Sequence, residues 1–89
     1  MVTFIVLLKV KRGHVAATAE RMLEMPGVSE VYSVTGQYDL VALVRTQSND
    51  DVANLVNGPL AALEGIESTD TMLAFNTYSK HDLESMFSI

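Results

Sequence analysis

Residues 28–45 read VSEVYSVTGQYDLVALVR. Two apolar-rich runs, Val28 to Val34 and Tyr38 to Arg45, flank the compact turn Thr35-Gly36-Gln37. Strands joined by so short a connection pair as an antiparallel hairpin, with Gly36 supplying the positive φ that such a turn needs. Immediately upstream, Pro26-Gly27 closes a helical pattern running from about His14 to Met25, with Val15, Ala19, Met22 and Leu23 on one stripe. Before that helix, VTFIVLLKV over residues 2–10 is a short run rich in β-branched and aromatic residues, which reads as a central strand.

Downstream of the hairpin, Ser48-Asn49-Asp50-Asp51 is a helix start, offering side-chain oxygens to orphan amides and negative charge to the helix dipole. Val52, Leu55, Val56, Leu60 and Leu63 form its apolar stripe, and Gly58-Pro59 predicts a kink or break within it. Gly65 ends the helix, residues 66–78 alternate as a last strand, and a Ser cap leads into a short helix at about 80–88. The order is βαββαβ: an α+β, ferredoxin-like arrangement with one antiparallel four-stranded sheet and a short C-terminal helix. Two helices cover one face of such a sheet and leave the other carrying alternate, mostly apolar residues. A bare apolar sheet of several hundred Å² is unusual on a monomer. A face-to-face dimer, forming a sandwich or α/β barrel, is therefore expected.

Composition narrows the function. The chain has 89 residues and a formal net charge of −5, with 48% hydrophobic and 19% charged residues. That length fits a single domain, residues 1–89, burying roughly 60–65% of its unfolded surface. The modest core makes association a reasonable source of stability. Eleven acidic against six basic residues argue against direct binding of nucleic acid, which requires clustered Lys and Arg. With no cysteine there are no disulfides, thiolate metal sites or thiol nucleophiles. No apolar run approaches the ~20 residues of a membrane span. The opening MVTFIVLLKVKRG places its basic residues after the apolar run, the reverse of a secretion signal, so a cytoplasmic protein is expected.

No catalytic constellation emerges. His14 opens a helix and His81 lies in the tail, with no neighbour completing a triad or metal set. No phosphate-cradling glycine loop occurs, and no cofactor or metal is expected. The segment that stands out is Val34 to Leu40. Its glycine is explained by the turn, but Asp39 is a disfavoured strand residue opening the apolar run LVALV. A carboxylate so placed either caps backbone amides or receives a cation. A second polar group, Ser68-Thr69-Asp70-Thr71, begins the final strand, where threonine is also a common strand residue.

Pro26-Gly27-Val28, then Val34-Thr35-Gly36-Gln37-Tyr38-Asp39-Leu40, then Gly65-Ile66 followed by Ser68-Thr69-Asp70-Thr71, resembles the Lrp/AsnC family of amino-acid-responsive regulators. The resemblance is to their C-terminal ligand-binding domain, called RAM, and covers nearly the whole chain. It implies the same βαββαβ fold, pairing through sheets, and assembly of dimers into octamers or similar rings. It also implies a free amino acid or similar small zwitterion bound between dimers. By resemblance, Gly36, Gln37, Tyr38 and Asp39 contribute to that pocket, with Thr69 and Thr71 from a neighbouring strand or subunit as weaker candidates. Asp39 would then meet the ligand ammonium, and amides or hydroxyls its carboxylate. Family regulators carry a helix-turn-helix before this domain, whereas here the first strand begins at residue 2. A stand-alone sensor is thus expected, acting through its own assembly or by co-assembly with a full-length regulator. The alternative is a small dimeric barrel enzyme of the oxygenase or isomerase type, since this fold hosts both. Such an enzyme needs a cavity lined by His or paired carboxylates, and His14 and His81 stand far apart in the sequence.

Overall fold

In the computed structural model, which describes residues 1–78 and 80, the hairpin at the centre of the sequence is built as two of four strands. The elements are β1 (Val2–Val10), α1 (Val15–Leu23), β2 (Val28–Ser33), β3 (Leu40–Thr46), α2 (Asn49–Leu55), a π-helical turn over Val56–Leu60, and β4 (Ile66–Ala74). The sheet has the order β2-β3-β1-β4, and every neighbouring pair is antiparallel. This is the ferredoxin-like topology expected from the βαββαβ order. The sheet is open, with β2 and β4 at its edges, and does not close into a barrel within the chain. The tail helix expected at about 80–88 lies, but for Lys80, outside the described residues.

Period-two alternation decides what each strand buries. Phe4, Val6, Leu8 and Val10 of β1 and Leu40, Ala42 and Val44 of β3 point to one face, where they pack with Met22 of α1, Val52 and Leu55 of α2, and Leu60. Fully burying a side chain such as Leu8, Leu40 or Leu60 contributes roughly 1.5–3 kcal/mol. The other face carries Ile5 and Leu7 of β1, in register with Leu43 and Val41 of β3. Tyr32 of β2 lies opposite Val41, and Met72 of β4 opposite Ile5. No described helix covers these six residues; Tyr32 and Met72 remain 47% and 45% exposed.

The helices follow their local chemistry. The side chain of Ser48 accepts the Asp51 N–H at 3.4 Å, and Asp50 and Asp51 occupy the first turn of α2. Pro59 cannot donate to a carbonyl one turn back. The chain answers with the wider π turn over Val56–Leu60, which is the form taken by the interruption expected at Gly58-Pro59. Gly65 then starts the return to the sheet. A Cβ there would come within 2.8 Å of both His14 Cβ and Thr18 Oγ1, while the Gly65 carbonyl accepts the Lys11 N–H at 2.7 Å. Glycine thus lets the start of β4 lie directly against the first turn of α1.

Candidate functional site

The turn between β2 and β3 is held at both ends by Asp39. Its backbone N–H donates to the Leu8 carbonyl at 2.8 Å, and its own carbonyl accepts the Val34 N–H at 3.0 Å. Its carboxylate Oδ2 accepts the Val10 N–H at 2.7 Å. Val10 lies where the β1–β4 register shifts between Lys9 and Val10, so the ladder is irregular there. Of the two roles that the sequence leaves open for Asp39, capping a backbone amide is the one visible in the geometry. A charge-assisted bond of this kind is stronger than a neutral one. Gly36, at φ +107°, makes the turn itself, and nothing lies within 4 Å of the position a Cβ would occupy. Gln37 is exposed beside it.

Tyr38 leaves the turn in another direction. Its hydroxyl donates to Asp70 Oδ2 of β4 at 3.2 Å. Asp70 pairs with Leu7, so it stands on the bare face of the sheet. The hydrogen bond to Asp70, and then the negative charge of that carboxylate, raise the Tyr38 pKa above the usual phenol value, because both disfavour the phenolate. The hairpin turn and the start of the last strand are therefore neighbours within one chain. The residue of that strand which meets the turn is Asp70, not the threonines singled out from the sequence. Thr69 and Thr71 pair with Leu8 and Val6, which belong to the buried face, so they lie on the opposite side of the sheet from Asp70. Thr71 lines a groove of about 300 Å³ with Val52 and Val56 of the helical layer and Leu73 of β4. The available signal was alternation: within Thr69-Asp70-Thr71, the aspartate must face away from both threonines.

A second cleft, of about 480 Å³, lies at the far end of β3 from the turn, among Pro26, Gly27, Arg45, Asp51 and Pro59. His14 lies in a different hollow, with Thr18, Arg21 and Glu64. Among the described residues, no three His, Cys, Asp or Glu are grouped so as to hold a metal ion, and no helix is long and apolar enough to cross a membrane.

The kinships of the chain agree with this geometry. Residues 3–83 match the Lrp/AsnC ligand binding domain. The HTH-type transcriptional regulator FL11 of Pyrococcus horikoshii is 34% identical over 80 residues, which are 90% of this chain and 52% of that protein. The chain thus spans about half the length of the curated relatives it matches. TTHA0845 from Thermus thermophilus superposes with a TM-score of 0.83 at 45% identity, over 90% of this chain and 100% of that one. The transcriptional regulator NMB0573 of Neisseria meningitidis, solved as an L-Met complex, has a TM-score of 0.79 at 11% identity. It covers 88% of this chain and 52% of its own, a likeness of fold alone. These curated relatives are named as transcriptional regulators, not as oxygenases or isomerases of the same fold. The chain belongs to the Lrp/AsnC family, as a ligand-binding domain of its regulatory kind.

Proposed function

We propose that residues 1–89 form one ligand-binding domain that senses or buffers a free amino acid in the cytoplasm. It would act through its own assembly or by joining a full-length Lrp/AsnC regulator. Two copies would close their bare sheet faces against each other, and dimers would join into an octamer or similar ring. The pocket between dimers would draw on Gly36, Gln37, Tyr38 and Asp39, with Thr69 and Thr71, from a neighbouring strand or subunit, as weaker candidates. The observation that carries this reading is the uncovered apolar face, Ile5, Leu7, Val41, Leu43, Tyr32 and Met72, with the Gly36–Asp39 turn at its end. The L-Met complex of a regulator with this fold supports a small zwitterion as the kind of ligand.

Light scattering and thermal melting, each with and without the twenty amino acids at millimolar concentration, test the proposal. An assembly larger than the 9.7 kDa chain is expected. At a hundredfold excess over Kd, a ligand that binds only the folded state adds about 2.7 kcal/mol of stability. A monomer unmoved by any amino acid would refute it.

A further inference from the structure

By register and alternation, the bare face of the sheet sets four exposed charges around an apolar middle. Val41 and Leu43 of β3 and Ile5 and Leu7 of β1 fill the centre. Glu30 of β2 stands opposite Leu43 and Asp70 of β4 opposite Leu7, so the two acids occupy opposite outer strands. Arg45 lies one pleat beyond Leu43 at one end of the face, and Lys9 one pleat beyond Leu7 at the other. Each acid is steadied by a phenol: the Tyr32 hydroxyl donates to Glu30, and the Tyr38 hydroxyl to Asp70 at 3.2 Å. Asp39, at the Lys9 end, is half-buried and keeps its carboxylate on the Val10 N–H. The acids thus mark one diagonal of the face and the bases another.

Two copies meeting face to face as a symmetric dimer are related by a twofold axis in the plane between their sheets. Strands stand about 4.8 Å apart, and same-face neighbours along a strand about 6.8 Å apart. On that lattice the two diagonals diverge by about 50°, and an axis bisecting them lays each acid of one copy over a base of the other. The strands of the two sheets then cross at about 80°, close to the orthogonal way in which sheets stack. An axis along the strands would instead set Glu30 over the partner's Met72, and an axis across them would set it over the partner's Tyr32. Either leaves an acid covered by a group that cannot neutralise it, which is costly.

From this pattern we infer that the bare face selects a second copy of this chain in a crossed orientation, Glu30 and Asp70 of each copy closing on Arg45 and Lys9 of the other. The inference rests on the sheet-to-sheet pairing proposed above and adds what fixes its orientation and its choice of partner. Apolar contact at the centre is indifferent to rotation, whereas the four charges are not. An apolar sheet without the same pattern would cover Glu30 and Asp70 unpaired, so the charges also turn away wrong partners.

The test uses the full chain in two double variants, Lys9→Glu with Arg45→Glu and Glu30→Lys with Asp70→Lys. Light scattering follows each alone, and native mass spectrometry follows the mixture. Alone, each variant sets like charges against like and should dissociate at least tenfold more readily than wild type. Mixed in equal amounts, the two should reassemble as pairs containing one of each. A milder set, Lys9→Gln with Arg45→Gln and Glu30→Gln with Asp70→Asn, should also favour the mixed pair, and it decides the matter if a reversed variant loses its far-ultraviolet spectrum. A reversed variant that assembles alone as tightly as wild type overturns the inference. So does a mixture of folded variants that stays unassembled or pairs at random, and either result leaves the sheet pairing standing. A wild type that remains a single 9.7 kDa chain refutes both.

Discussion

Replacing Gly65 by alanine tests how closely the start of β4 must approach α1. The added Cβ would lie 2.8 Å from His14 Cβ, 2.8 Å from Thr18 Oγ1 and 3.1 Å from His14 Nδ1. Carbon atoms attract best at roughly 3.5–4.0 Å, so the first contact is short by about 0.7 Å or more. His14 Cβ cannot swing away, because it is fixed to the backbone that opens α1, and Thr18 is itself buried. The Gly65 carbonyl also holds the Lys11 N–H, which opposes a shift of the strand. Over-packing of a tight site costs about 1–3 kcal/mol. At roughly 4–8 °C per kcal/mol for a chain of this size, Gly65→Ala should lower Tm by about 5–20 °C. Circular dichroism melts at one fixed protomer concentration measure this, since self-association makes Tm concentration-dependent. Gly58→Ala is the control: its Cβ would meet nothing within 4 Å, and it sits in a helical turn, so its Tm should hold or rise. A Gly65→Ala protein melting within about 2 °C of wild type would refute the proposed close approach.

Asp39→Ala strands the Val10 N–H and should cost about 1–3 kcal/mol in chemical denaturation, with Asp39→Asn recovering most of the loss. Leu43→Glu places a charge in the middle of the bare sheet face; if that face joins two copies, light scattering should fall to the mass of one chain while the far-ultraviolet spectrum is kept. Because the Tyr38 pKa is raised on folding, its contribution to stability is intact below the ordinary phenol value near 10 and fades as pH climbs through the folded value. Asp70→Asn should therefore lower the pH at which Tyr38 ionises, read by ultraviolet titration against wild type. Ser48→Ala removes a long cap bond of 3.4 Å and should cost about 0.5–1 kcal/mol in the same denaturation assay.

Elements whose determinants are local were legible in the sequence. The Gly36 hairpin, the Ser48 cap and the break at Pro59 each follow from a few adjacent residues, and all three stand in the structure. Boundaries set by a distant partner were not. The final strand reads as running to Tyr78, yet β4 stops at Ala74 because Ala74 pairs with Thr3 and β1 begins at Val2. Phe75, next along, is 88% exposed. Likewise β3 reads from Tyr38 but starts at Leu40, since Asp39 commits its carboxylate to Val10 across 29 residues of chain. The Tyr38–Asp70 contact was hidden for the same reason: it depends on the β1 register that both strands share, and no spacing within either segment encodes it.

Asp39 also gives the molecule a mechanical connection. Its carboxylate ties the turn to Val10, Val10 pairs with Ile66, and the neighbouring Gly65 rests on the opening of α1. Force applied at the turn is thus carried by short, stiff links into the start of an edge strand and the first turn of a helix. Hydrogen exchange at the Val10 amide is the natural gauge of that tension, because it slows or quickens with the grip of a single carboxylate.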